Sequence, residues 1–169
     1  MFNTVLEEEP NSKLILIGSD APDIITQKAS TYSMFFNLLT EQAKKGVTYL
    51  GKIPYEKVQV HIKQAHVCVF PSFAETFGMV TVEAMALQKP VVNTSIGWGQ
   101  ELIDDGVNGY LVHPKEISLY SYRILKLFNN PELCITLGKQ ARLKVERDFD
   151  IEKQVLKNIE FYRTIIDAN

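Results

Sequence analysis

A chain of 169 residues that is 46% hydrophobic is long enough for one compact α/β domain and short for two. Its formal net charge of -2 gives no global basic field, which argues against a nucleic-acid or anionic-membrane binder. The two cysteines, Cys68 and Cys134, have no C-x-x-C spacing and no neighbouring histidine pair, so free thiols in a reducing compartment are expected rather than a disulfide or a zinc site.

In chain order, "FNTVLEEEP" (2–10) reads as a helix, with Glu7, Glu8 and Glu9 on its solvated end. "KLILIG" (13–18) is the first short β-rich run, and helical spacing follows over 30–44. "VTYLG" (47–51), "VCVFP" (67–71), "PVVNT" (90–94) and "GYLV" (109–112) are further runs of the same kind, each ended by Gly, Pro or polar residues. Helical segments at 55–64, 78–87 and 99–104 separate them. Strand, helix, strand repeated in this way predicts a three-layer, Rossmann-like, doubly wound parallel sheet, because parallel strands need helical crossovers that cover both faces. Beyond residue 112 only helical spacing continues, over 117–128, 131–147 and 151–166, and Pro131 suits a first helical turn. The expectation is a single unit over 1–169, with an α/β part (1–112) and a helical tail (113–169) packed on the sheet. No leader segment or membrane-spanning apolar run is evident, so a soluble, cytoplasmic protein is expected.

"PSFAETFGMVTVEAMALQKPVV" (71–92) sets two carboxylates, Glu75 and Glu83, among side chains that are nearly all apolar or small. An ionised group taken from water must recover its hydration from hydrogen bonds or a counter-charge, so a pair kept in such company needs a reason. Ligands of open α/β sheets sit beyond the carboxyl ends of the strands, where loops lead into helix N-termini, and the 67–71 run ends at such a point. Glu75 then belongs to a loop and Glu83 to the second turn of a helix that begins after Gly78. At about 1.5 Å per residue, Gly78 and Glu83 are roughly 7 Å apart along the axis, too far for an acid dyad sharing a proton. Between them lie unpaired N–H groups and the positive end of the helix dipole, a ready phosphate site that a glycine lets a ligand approach. Ionised carboxylates only accept hydrogen bonds, so each suits a pair of sugar hydroxyls. A nucleoside diphosphate sugar, with a central pyrophosphate and hydroxyls at both ends, has that shape.

"FPSFAETFGMVTVEAMALQKPVV" resembles the Glu-x7-Glu signature of retaining, nucleotide-sugar-dependent glycosyltransferases of the two-domain GT-B fold, glycosyltransferase family 4. "KLILIG", "VTYLGKIPYEKV", "GWGQELIDDGVNGYLVHP" and "NNPELCITLGKQARLKVERDFD" resemble successive blocks of that family's C-terminal, donor-binding domain. The resemblance implies that Glu75 is the catalytic-site carboxylate beside the donor sugar. It makes Phe77, Gly78 and Met79 the turn whose N–H groups meet sugar and phosphates, with Thr81 and Val82 near phosphate and ribose. Glu83 becomes the holder of the ribose hydroxyls, and Gly51, Lys52 and Ile53 the loop along the base. It implies a front-face, oxocarbenium-like transfer with retention, in which a donor phosphate oxygen helps take the acceptor proton. Neither a metal nor another cofactor is expected, and no Asp-x-Asp is present. The expected partners are a nucleotide sugar and an N-terminal acceptor-binding domain, with no nucleic acid. Membrane contact would come through that other domain.

The match departs from the family in two places. Gly97, Trp98 and Gly99 replace the usual Gly-Gly-x-x-Glu opening with a variant that could line the acceptor side or a phosphate. The family domain begins one strand and one helix earlier, with an Arg and a Lys that neutralise the diphosphate, so the chain is expected to be an inactive fragment on its own, Lys52 or Lys89 compensating in part. Without that strand the sheet is expected to close directly between 13–18 and 67–71, or to recruit a strand by homodimerising through an exposed edge. A sugar-nucleotide epimerase and a non-catalytic nucleotide-binding module are the alternative readings. His61, His66 and His113, scattered singly, read as surface or capping residues, and Tyr32, Phe35 and Phe36 read as core.

Overall fold

The apolar runs become strands and the segments between them helices. The computed structural model describes residues 1–167. In order these are α1 (Phe2–Glu8), β1 (Leu14–Leu16), α2 (Thr31–Asn37), α3 (Glu41–Lys45), β2 (Val47–Tyr49), α4 (Tyr55–Gln64), β3 (Cys68–Phe70), α5 (Met79–Ala86), β4 (Val91–Thr94), α6 (Gly99–Leu102), β5 (Tyr110–Val112), α7 (Ile117–Phe128), α8 (Pro131–Asp148) and α9 (Ile151–Asp167).

Side chains alternate across β3, β4 and β5, which lie parallel in the order β3-β4-β5. Val92, Tyr110 and Val112 turn to one face, where Val5 of α1, Tyr120, Ile124 and Leu127 of α7, and Leu137 of α8 cover them. Cys68 and Val91 turn to the other, against Ile62 of α4, Ala84 and Met85 of α5, Leu102 and Ile103 at α6, and Ala141 of α8. This gives the expected three layers. Each fully buried aliphatic side chain contributes roughly 1.5–3 kcal/mol, and all four residues of β4 are buried.

β1 and β2 form a second, two-stranded parallel sheet, so the expected direct closure between the 13–18 and 67–71 runs does not occur. A parallel strand offers alternate residues to each neighbour. β1 turns Leu14 and Leu16 toward β2, with the Leu14 N–H on the Gly46 carbonyl (2.9 Å) and the Leu50 N–H on the Leu16 carbonyl (3.0 Å). β3 likewise turns Cys68 toward β4, its N–H on the Pro90 carbonyl at 3.0 Å. The backbone groups of Ile15 and Val69 therefore belong to the opposite edges. The two sheets are joined through α1 instead: Val5 packs with Val67 and Val69, while Phe2 and Leu6 pack with Leu39, Ala43 and Val47.

The helix expected over 30–44 is two helices. Asn3 of α1 makes the break: its Nδ2 donates to the Leu38 carbonyl (3.1 Å) and its Oδ1 accepts the Thr40 N–H (3.2 Å). Thr40 then caps α3 by accepting the Ala43 N–H. Phe35 and Phe36 pack into the core beneath, and Tyr32 stacks on Tyr49 with centroids 4.2 Å apart. In the tail, α7 and α8 pack on the sheet, whereas α9 buries none of its residues and is tied to α8 by polar contacts from Lys153 and Gln154. Among the described residues no helix is long and apolar enough to cross a membrane.

Candidate functional site at the carboxyl ends of the strands

β3 ends at Phe70, and the chain then runs irregularly through Glu75 to Gly78, the N-cap of α5. Gly78 has φ +81 and ψ 48, a left-handed conformation that costs a residue with a side chain about 1 kcal/mol or more. A Cβ there would also lie 3.1 Å from Leu102 Cδ1 and 3.5 Å from both Glu75 Cγ and Thr81 Oγ1. The turn thus brings Glu75, Gly78 and Thr81 together at the start of α5. The Thr81 and Val82 N–H groups return to the Gly78 carbonyl, which leaves the earliest N–H groups of the helix directed outward. Glu75 is half-buried, and its Oε1 accepts the Thr76 N–H at 3.0 Å. The other carboxylate oxygen makes no described hydrogen bond.

Glu83 lies one turn further along α5, also half-buried. Its Oε1 accepts a hydrogen bond from the Tyr55 hydroxyl at 3.0 Å. Tyr55 opens α4 immediately after the loop holding Gly51, Lys52 and Ile53, so this bond ties that loop to α5 across 28 positions of sequence. The loop is fixed on its other side by the Gly18 N–H, which donates to the Gly51 carbonyl at 3.0 Å. Glu75, the α5 N-terminus, Glu83 and the 51–53 loop consequently line one rim.

The remaining expected residues fall into two groups. Met79 is exposed, Lys52 is exposed and Phe77 is half-buried, all at this rim. Thr81 is only 2% exposed and Val82 packs against the core beneath α5, so the side chains expected near phosphate and ribose face the interior rather than the rim. Lys89 does not join them. It follows the C-terminal end of α5, near Cys68 at the start of β3, a helix length from Gly78. Of the two lysines considered for neutralising a diphosphate, Lys52 alone is on the correct side of the sheet.

Two features of the site were not assigned from sequence. Tyr55 carries no spacing signal, since its partner is distant in the chain and it looks like an ordinary first-turn residue. An aromatic group formed by Phe77, Trp98 and Phe149 stands beside Glu75, with Phe77 6.3 Å from Trp98 and 5.8 Å from Phe149, centroid to centroid. Phe77 was expected only for its backbone N–H and Trp98 only as part of a variant loop, and the packing of Phe77 on Phe149, far along the chain, has no local signal. Two of the three histidines behave as surface or capping residues: His113 Nδ1 accepts the Lys115 N–H at 3.3 Å, and exposed His66 stands edge-on to Phe128, whereas His61 is half-buried on α4 with its Nδ1 buried and without a hydrogen-bond partner. Cys68 and Cys134 are free thiols, and burial pushes the Cys68 thiol up to about 11 despite an opposing effect of Lys89.

Residues 1–144 match the family model for glycosyl transferases group 1. Over 136 residues the chain is 32% identical to the uncharacterised glycosyltransferase MJ1178 of Methanocaldococcus jannaschii, covering 80% of this chain and 38% of that protein. Over 148 residues it is 34% identical to the capsular polysaccharide biosynthesis glycosyltransferase CapM of Staphylococcus aureus, covering 88% and 37% respectively. Among solved structures, the sucrose-phosphate synthase of Thermosynechococcus elongatus superposes with a TM-score of 0.82 at 29% identity, over 99% of this chain and 43% of that one. The chain spans about two fifths of the length of these similar proteins.

Proposed function

The chain belongs to the group 1 glycosyltransferases, and from that premise we propose that it is the donor-binding part of a cytoplasmic enzyme that transfers a sugar from a nucleoside diphosphate sugar to an acceptor with retention of anomeric configuration. Synthesis of a polysaccharide, lipopolysaccharide or glycolipid is the proposed context, in keeping with the capsular role in the name of the CapM relative. The observation that carries the reading is the single rim on which Glu75, the N-terminus of α5 and the Tyr55-bound Glu83 follow one another.

On this reading the ribose hydroxyls bind Glu83, whose carboxylate Tyr55 orients, and the base lies along Gly51, Lys52 and Ile53. The diphosphate sits on the outward N–H groups at Gly78 and Met79, where the helix dipole favours negative charge. Lys52 supplies the nearby cation. The donor sugar then reaches Glu75. As the bond from the anomeric carbon to the phosphate oxygen lengthens, positive charge grows on the sugar ring and is balanced by the Glu75 carboxylate. The negative charge gained by the leaving diphosphate falls on N–H groups already aimed at it, which costs no reorganisation at that moment. The acceptor oxygen bonds to the same face of the anomeric carbon, and its proton passes to the departing phosphate oxygen.

Calorimetric titration of this chain with UDP, GDP and ADP, repeated on Glu83→Ala, tests the assignment. One nucleotide is expected to bind, and to bind at least about tenfold more weakly in the variant, a change of about 1.4 kcal/mol. Equal affinity in the two proteins would remove the ribose from Glu83.

A further inference from the structure

Trp98 is the only tryptophan in the chain, and half of it is exposed, 51%. A lone apolar side chain at a surface needs no explanation. Trp98 is not alone. Phe77 backs it, with planes tilted 58°, and Phe149 meets Phe77 edge-on at 75° and is itself packed against the core around Met85 and Val91. The indole is the outer member of an aromatic series rooted in the interior, so its position is set rather than free to swing.

The backbone carries it to Glu75. Gly97 has φ +61, and a Cβ on it would lie 3.1 Å from the Glu75 carbonyl oxygen. On the other side, a Cβ on Gly99 would lie 2.1 Å from the Thr94 carbonyl oxygen. Both flanking positions must therefore be glycine for the loop to seat as it does, with the large residue between them beside the Glu75 loop. Phe73, on that same loop, is 64% exposed. A flat apolar ring carried on a loop that seats against the backbone of the Glu75 loop has a specific complement. A pyranose presents hydroxyls at its edge, which a carboxylate accepts in pairs, and C–H groups on its face, which pack on an aromatic plane.

We propose that Trp98, backed by Phe77, is a stacking platform for a pyranose ring whose hydroxyls are held by Glu75. The inference rests on the donor-site reading above, and deepens it by assigning a sugar-contacting residue outside the Glu-x7-Glu stretch. The pyranose is either the donor's own or one from the acceptor, and the two sources are separable.

Because Trp98 is the single tryptophan among seven tyrosines, emission excited at the red edge of the absorption band, where tyrosine does not absorb, reports on this position alone. The chain is titrated with UDP, GDP and ADP, with UDP-glucose, GDP-mannose and ADP-glucose, and with glucose and maltose in the presence of saturating nucleotide, calorimetry being run in parallel. A bare nucleotide is expected to bind with little change in emission, and its sugar conjugate to bind with a clear change. Trp98→Ala is expected to lose the added affinity due to the sugar, roughly three- to tenfold, while keeping the nucleotide affinity, and Trp98→Phe to retain most of it. A change with the conjugate identifies the donor sugar, and a change only with glucose or maltose identifies the acceptor. Binding of a conjugate with emission unchanged by every sugar overturns the inference while leaving the nucleotide site intact, as does an unaltered sugar increment in Trp98→Ala. If no nucleotide binds, this chain by itself does not hold the donor, as expected of a scaffold lacking its phosphate clamp. In that case the platform stands only if free glucose or maltose shifts the emission, and silence toward these overturns it too.

Discussion

The two sheets are built from similar sequence and are covered differently. In the three-stranded sheet every residue of β4 is buried, and helices close both faces. In the two-stranded sheet the strand residues are only half-buried or exposed, with Ile15 at 45% exposure, and its core is the small group around Leu6, Leu39 and Ala43. The difference bears on the site. Glu75, Gly78 and Glu83 are carried by the strong half, whereas the 51–53 loop proposed for the base is carried by the weak one. A ligand lying along the rim would bind both halves at once and so stabilise the weaker by linkage.

The largest expected effect follows directly from this contrast. Met85 is fully buried between α5 and the three-stranded sheet, and Met85→Ala should cost about 3 kcal/mol through lost transfer energy and the cavity left behind. Ile15→Ala, a change of comparable kind in β1, should cost less than about 1 kcal/mol, because nearly half of the side chain already meets water. Urea unfolding of both variants against the parent protein reads the two values from the shift in midpoint. Equal losses would mean that both sheets belong to one equally packed core.

What the sequence could disclose follows the same division between local and distant causes. The five strands were legible because β-branched runs bounded by Gly and Pro are a local signal, and the carboxylates at 75 and 83 stood out because their apolar surroundings are adjacent in the chain. The break between α2 and α3 was not legible, since Asn3, some 35 positions upstream, makes it by taking the backbone groups of Leu38 and Thr40. The division into two sheets was hidden for a related reason: the run at 13–18 shows that a strand forms, but its partner is chosen by long-range packing through α1. In α9 the apolar spacing gave the helix correctly, yet spacing alone does not say what covers a face, and none of its residues is buried. Lys89 was a reasonable cation by composition and is ruled out only by the direction in which α5 carries the chain.

An intermediate effect concerns the edge of the strong half that faces the junction. Burial raises the Cys68 thiol from its ordinary 9.0 to about 11, so between those values the folded protein holds a proton that the unfolded chain has released. The native state then binds more protons, and stability falls as pH rises through this window, by on the order of 1–2 kcal/mol. Tyr120, whose phenol is also raised by burial, adds to the decline at the upper end. Comparing stability against pH for the parent and Cys68→Ala isolates the thiol, and the variant should show the shallower decline. Superimposable curves would mean that the β3 edge is wet and the thiol titrates normally.

The smallest effect tests the link between the halves. Tyr55→Phe removes one hydroxyl and keeps the ring, so it breaks the bond to Glu83 without emptying space. Tyr55 is 53% exposed, and water can replace the lost donor, which limits the stability change to a few tenths of a kcal/mol. Nucleotide binding should respond more, because an unanchored Glu83 carboxylate must be ordered when the ribose arrives. About threefold weaker binding, or roughly 0.6 kcal/mol, is expected by calorimetry, against the tenfold loss expected for Glu83→Ala. In the double variant the Tyr55 effect should vanish, since the hydroxyl acts only through the carboxylate it holds. If Tyr55→Phe instead tightened binding, the hydroxyl would be competing with the ribose for Glu83, and the two halves would be joined in the free protein at the expense of the ligand.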